Sequence, residues 1–186
     1  MSSTANPFGL RPVQHPSGVI RPAVGTIASA YASNILQNQP VAIAADGTIT
    51  AAAVGARFRG VFQGVEYTDS EGRRRVTNRW TANLVATDIV AYFTEDPAIV
   101  YEIQASGSIT QADVGSQADF TAISAGSLVT GMSAIALNQA TLTNSGNASL
   151  RILGIAPGPD NAAGDSFTIV RVQISEHQNV ADIVAY

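Results

Sequence analysis

An all-β fold, a small barrel or a sandwich with extended arms at both ends and little helix, is predicted by three observations. Short segments rich in Val, Ile and Thr recur at the spacing of roughly 8–12 residues expected of sandwiches and barrels. Turn signals such as Asp46-Gly47 separate them. The ends read differently from the middle, with Pro7, Pro12, Pro16 and Pro22 crowding one end and an apolar run from Val180 to Tyr186 at the other.

The elements follow in chain order. Residues 1–22 read as an extended arm, because each proline fixes its own φ and pushes its predecessor toward extended geometry. Phe8, Leu10, Val13, Val19 and Ile20 give that arm apolar contacts to make. Two placements fit, along its own domain or onto a neighbouring subunit. A β-rich core domain spans residues 23–177. Strands are expected over 26–30, 40–44 and 48–52, the last two joined by a type I′ turn at Asp46-Gly47 with positive φ at both positions. Residues 60–67 alternate, with Val61, Gln63 and Val65 on one face and Phe62 and Glu66 on the other. A polar loop over 68–72 precedes strands at 73–81, 88–93, 100–105, 134–137, 150–155 and 167–174. Thr110 and Asp113 are spaced to cap one helical turn that Gly115 ends. Residues 124–131 read as a loop. No repeat recurs at a fixed period, and residues 178–186 form an apolar tail.

Composition narrows the chemistry. The chain has 186 residues, enough for one domain with a core of its own. Only 13% of residues are charged, the formal net charge is -4, and there is no Cys. That excludes disulfides, Cys-based metal sites and a thiol nucleophile. All ten basic residues are Arg. Without Lys there is no Schiff base and no P-loop lysine. An acidic chain lacks the basic footprint of general nucleic-acid binding. No apolar run reaches membrane-spanning length, and the prolines near the start break any signal-peptide core. A soluble protein synthesised in the cytoplasm is expected, with no nucleic-acid or membrane partner. Arg without Lys also suits protein–protein contacts.

Catalytic signals are sparse. The hydrolase motifs Gly-x-Ser-x-Gly and His-Glu-x-x-His are absent. His15 and His177 are the only histidines, so a Ser/His/Asp triad would have to use one of them. His177 reads first as a polar residue at the edge of a strand. Carboxylate pairs for glycoside hydrolysis could come from Glu66 with Asp69 or Glu95 with Asp96. The acidic loops at 94–97 and 160–165 lack the EF-hand spacing. No metal, no cofactor and no turnover are expected. Arg73, Arg74 and Arg75, with Trp80 beyond them, form the one charge cluster. Asp69 and Glu71 stand close enough in sequence to neutralise it.

Several stretches together carry a resemblance. They are Asn6-Pro7-Phe8-Gly9-Leu10-Arg11-Pro12, Gly60 to Asp69 (GVFQGVEYTD), Ala86 to Tyr92 running on to Asp96-Pro97, Arg151-Ile152-Leu153-Gly154, and Pro159-Asp160-Asn161. Over roughly residues 6–177 the chain resembles head decoration or cement proteins of tailed bacteriophages. The resemblance implies a β-rich virion protein on the capsid surface, assembled in the bacterial cytoplasm. Its partners would be the major capsid protein and copies of itself, as dimer or trimer. Composition and position then suggest Phe8, Leu10, Arg11, Val13 and Val19 as arm contacts to capsid or subunit, and Arg73, Arg74, Arg75 and Trp80 as a second patch. The alternative is a phage binding module, a fibre or carbohydrate-binding β domain.

Overall fold

The computed structural model describes residues 3–122 and 126–180. In chain order the strands are β1 (Arg11–Gln14), β2 (Ala23–Gly25), β3 (Ile35–Leu36), β4 (Pro40–Ile43), β5 (Ile49–Ala51), β6 (Gly60–Thr68), β7 (Arg74–Thr77) and β8 (Arg79–Trp80). They continue with β9 (Thr87–Thr94), β10 (Val100–Gln104), β11 (Gln117–Ala118), β12 (Gly126–Ser127), β13 (Met132–Ser133), β14 (Leu150–Ile155) and β15 (Ile169–Ile174). Two 3-10 turns, Gln111–Asp113 and Gln139–Thr141, are the only helical elements among the described residues. No helix there is long and apolar enough to cross a membrane.

Two antiparallel sheets dominate. One runs β1-β10-β15-β14-β11 and the other β2-β9-β6-β4-β5, with β7 also paired to β6. Neither closes into a barrel, so the sandwich form of the expected all-β fold is the one adopted. The edges of the second sheet approach at one end, where Ile49 N–H donates to Thr26 O at 2.8 Å.

Two apolar clusters hold the sheets. The first gathers Leu10, Phe58, Val61, Tyr101, Ile103, Phe120, Leu150, Ile152 and Val172. Phe58 and Phe120 meet edge-on there at 5.7 Å. The second gathers Ile27, Ile35, Val41, Ile49, Phe62, Val65, Trp80, Ala91 and Phe93. Strand β6 serves both. Its pairing with β9 slips between Phe62 and Gly64, so Gln63 is an extra, bulged residue. The bulge corrects the simple alternation read from the sequence: Val61 enters the first cluster, whereas Phe62 and Val65 both enter the second.

Other differences are local. The strand expected at 26–30 lies earlier, as β2, and that at 134–137 lies earlier, as β13. The 73–81 segment breaks at Asn78 into β7 and β8. At Asp46-Gly47 only Gly47 has positive φ, +81°. Gly47 N–H donates to Ala44 O, and the Asp46 carboxylate accepts from Thr48 N–H at 3.0 Å. The side chain therefore replaces the I′ geometry with a wider turn. Of the loop expected at 124–131, residues 124 and 125 lie outside the described residues; the rest contains β12, and Ser127 Oγ accepts from Val129 N–H at 3.2 Å in the turn that follows. The capped turn is as expected: the Asp113 carboxylate accepts from the backbone and the hydroxyl of Thr110, at 2.7 and 2.8 Å.

Candidate functional site

The N-terminal motif is built into its own domain. Gly9 has φ +77°, and a Cβ there would lie 2.4 Å from Asn38 O. Only glycine lets the chain pass so close. Leu10 N–H donates to Asn38 O at 2.8 Å, and Asn38 Nδ2 donates back to Phe8 O at 3.2 Å. This clasp drives Leu10 into the first cluster, with none of its surface exposed. Leu10 is therefore corrected from a partner contact to a core residue. The chain then continues as β1, paired with β10. The arm lies along its own domain from Thr4, whose carbonyl accepts from Gln104 Nε2, to β2, paired with β9. Of the two placements expected for the arm, the one along its own domain is seen, with residues 11–14 forming a sheet strand.

The remaining arm residues stay at the surface. Arg11 reaches Glu102 at 2.6 Å and stacks over the half-buried Phe8 ring at 4.8 Å. Arg171 approaches the same carboxylate at 3.4 Å. Val13 is half-buried and Val19 is exposed.

The arginine cluster sits at the tip of the β6–β7 hairpin and is neutralised there. Arg75 donates to Asp69 at 2.9 Å, Arg73 pairs with Asp69 and Glu71, and Arg74 pairs with Glu66 at 3.3 Å. The backbone N–H of Arg73 and the Arg75 side chain hold the Asp69 carboxyl below its ordinary range. The Tyr92 hydroxyl, donating at 2.6 Å, and Arg74 do the same for Glu66. Glu66 in turn raises the Tyr92 hydroxyl. Three cations matched by three carboxylates leave no basic patch at this tip. Trp80 is not part of it. Trp80 is fully buried in the second cluster, edge-on to Tyr67 at 5.9 Å, which corrects its assignment to the contact patch.

Behind the arginines lies a surface that sequence reasoning missed. Val65 and Ala91 are buried, so their neighbours Glu66, Val90 and Tyr92 face the other way. Register places Val76, Glu66 and Val90 in one row across β7, β6 and β9, and Val24 beside Tyr92 in the next. Val24 is 66% exposed and Val76 is 76% exposed. The result is an outward sheet face with valines at both margins and a Tyr92–Glu66–Arg74 chain between them. The signal was present in the β2 and β7 valines, but faces could not be assigned without the bulge at Gln63.

The candidate catalytic groups do structural work. His15 Nδ1 accepts from Ser17 N–H at 3.1 Å and lies 2.6 Å from Ser17 Oγ, while Nε2 faces Asp96 at 3.2 Å. This Ser–His–Asp contact caps the turn at 15–18, where Gly18 N–H donates to His15 O. Ser17 Oγ also donates to Val19 O at 3.2 Å. His177 is buried, not at an exposed edge. Its Nδ1 accepts from Asn179 N–H, so Nε2–H donates to Glu95 O at 2.9 Å. Burial lowers its pKa and favours this neutral form. Of the carboxylates proposed as pairs, Glu95 is held by Arg59 and Asp96 by His15. Among the described residues no three His, Asp or Glu side chains gather as a metal site.

No family model, curated protein or solved structure matches the chain. The resemblance to phage decoration proteins therefore rests on the motifs themselves.

Proposed function

We propose that the chain is a capsid cement or decoration protein. It binds the outer surface of a tailed-phage head and stabilises the shell by bridging capsid subunits, without turnover. The observation that carries this reading is the outward face of β2, β9, β6 and β7, where Val24 and Val76 stand exposed on one sheet. The two valines offer a protein partner apolar surface to cover on one strand face. The surrounding charges are paired within the chain, which suits a neutral surface better than nucleic acid. A modest contact repeated over a shell is sufficient, because many copies act together. A ligand that binds the expanded shell alone stabilises it by mass action.

The experiment is co-sedimentation with empty heads of the phage that encodes the chain, comparing the wild type with Val24→Asp/Val76→Glu. Saturable binding that raises the heat resistance of the heads, and is lost in the double variant, supports the reading. A wild type that ignores the heads overturns it. Binding to a glycan panel would then favour the carbohydrate-binding alternative, with Tyr92 as the stacking residue.

A further inference from the structure

The turn at residues 15–18 joins three side chains in the order that acyl transfer requires. Ser17 Oγ lies 2.6 Å from His15 Nδ1, and His15 Nε2 lies 3.2 Å from Asp96 Oδ2. The backbone fixes the direction of this chain. Ser17 N–H can only donate, and it meets Nδ1 at 3.1 Å, so Nδ1 presents a lone pair. The proton of the neutral ring then sits on Nε2 and faces the carboxylate. The serine hydroxyl has two acceptors in reach, Nδ1 and, at 3.2 Å, Val19 O; the shorter contact is to the imidazole. Capping the turn needs only the N–H of Ser17. The hydroxyl and the carboxylate complete an activated serine: nucleophile, base and orienting acid. The ring is turned round compared with serine proteases, where Nε2 serves the serine. Either nitrogen takes a proton when a carboxylate holds the other.

The sheet brings these parts together from distant stretches of chain. His15 follows β1, and the pairing of Gln14 with Val100 carries the turn alongside the loop between β9 and β10. In that loop Asp96 Oδ1 accepts from Ala98 N–H at 2.8 Å, which leaves Oδ2 for the histidine. A cavity of about 400 Å³ opens on the array, a volume within the range of clefts that hold small ligands. Val19, Ile20 and Ile99 give it apolar walls, and Arg21 gives it a cation. Arg21 has no ion pair or hydrogen bond among the described residues. Ser17 itself is exposed, so a reagent in solution reaches it.

The geometry points to Ser17 as an acyl-acceptor site, which takes a short acyl group from an activated ester with His15 as base and Asp96 as the residue that positions it. Ser17 Oγ bonds to the ester carbonyl carbon as its proton passes to His15 Nδ1. Asp96 holds the ring and balances the charge that the ring gains. The negative charge gathered on the carbonyl oxygen is met by Arg21 from the same cavity. The carbon–oxygen bond to the leaving group then breaks, and the departing oxygen takes the proton from Nδ1. The products are an ester on Ser17 and a free alcohol, with no change of oxidation state. This is a covalent modification of the chain, distinct from head binding, and none of its residues belongs to the face edged by Val24 and Val76.

The probe is p-nitrophenyl acetate, applied to the full-length chain without phage heads, so the test stands or falls apart from the head-binding reading. The chain has no Lys, which removes the commonest competing amines. A rapid release of one p-nitrophenolate per chain is expected, with the acetyl group mapped to Ser17 by peptide mass spectrometry after acid quenching. Ser17→Ala is expected to lose that label. His15→Ala is expected to slow the first turnover about 100-fold, and added imidazole to restore part of the rate. Asp96→Asn is expected to slow it as well, with Asp96→Glu recovering part of the loss. Arg21→Ala is expected to cost about 10-fold. Urea midpoints measured alongside establish that each variant is folded. An unlabelled wild type, a label that survives Ser17→Ala, a rate indifferent to His15 or Asp96, or rates that fall only in step with lost stability would each overturn the inference.

Discussion

The N-terminal motif and the arginine hairpin are the two most conspicuous stretches of the sequence, and the fold treats them in opposite ways. The motif is drawn inward. Gly9 passes against Asn38, Leu10 fills the first cluster, and β1 joins a sheet. The hairpin is held outward, and its charges close on one another through Asp69, Glu66 and Glu71. Both are tied into the domain that carries them. The lesson is that an unusual local sequence often answers an internal demand, here a close backbone approach in one case and charge balance in the other. The apolar side chains left exposed lie on a plainer stretch, a sheet face edged with Val24 and Val76.

Substitutions can break this contrast, and the largest effect is expected inside the motif. Leu10→Ala empties a fully buried site and is expected to cost about 3 kcal/mol, read from the shift of the urea unfolding midpoint. Gly9→Ala comes next. It combines a φ of +77° with a contact to backbone that cannot retreat, and about 2 kcal/mol is expected from the same measurement. Arg11→Ala removes an ion pair and a ring contact at a half-exposed side chain, for which about 0.5–1 kcal/mol is expected. At the hairpin, Arg75→Ala is expected to leave the midpoint unmoved, because its pair with Asp69 is solvated. A hairpin variant as costly as Leu10→Ala would abolish the distinction between the two regions.

A smaller effect is set by pH. The folded chain holds His177 below its ordinary value of 6.5, because burial disfavours the charged ring. The unfolded chain therefore takes up the proton first as pH falls. The stability from this group is full above 6.5 and is lost as pH drops through the folded value. Stability measured from about pH 7.5 down to about pH 5 is expected to decline, and His177→Asn is expected to flatten that decline.

Much of the fold was legible because its signals are local. The strands at β4, β5, β9, β10, β14 and β15 follow from β-branched runs between turns, and the Thr110–Asp113 cap from a spacing of three. The failures were non-local. Nothing near Leu10 in sequence announces that Asn38 O will accept from its N–H, or Ile135 O from that of Gly9. Trp80 beside a run of arginines looks like a surface residue until β8 pairs with β3 and turns it inward. Faces on β6 were misread because a bulge shifts every later side chain, and its trigger, Gln63-Gly64 against β9, is a property of the pair of strands rather than of either one.

That bulge has a consequence for how the molecule comes apart. One strand supplies Val61 to the first cluster and Phe62 and Val65 to the second, so neither cluster can loosen without disturbing the wall it shares with the other. The two halves are mechanically in series, and their melting should be a single event. The chain carries its own reporter: Trp80, its only tryptophan, sits in the second cluster. Its fluorescence and far-ultraviolet circular dichroism, which follows both sheets, are expected to trace the same curve, at one midpoint and with one slope.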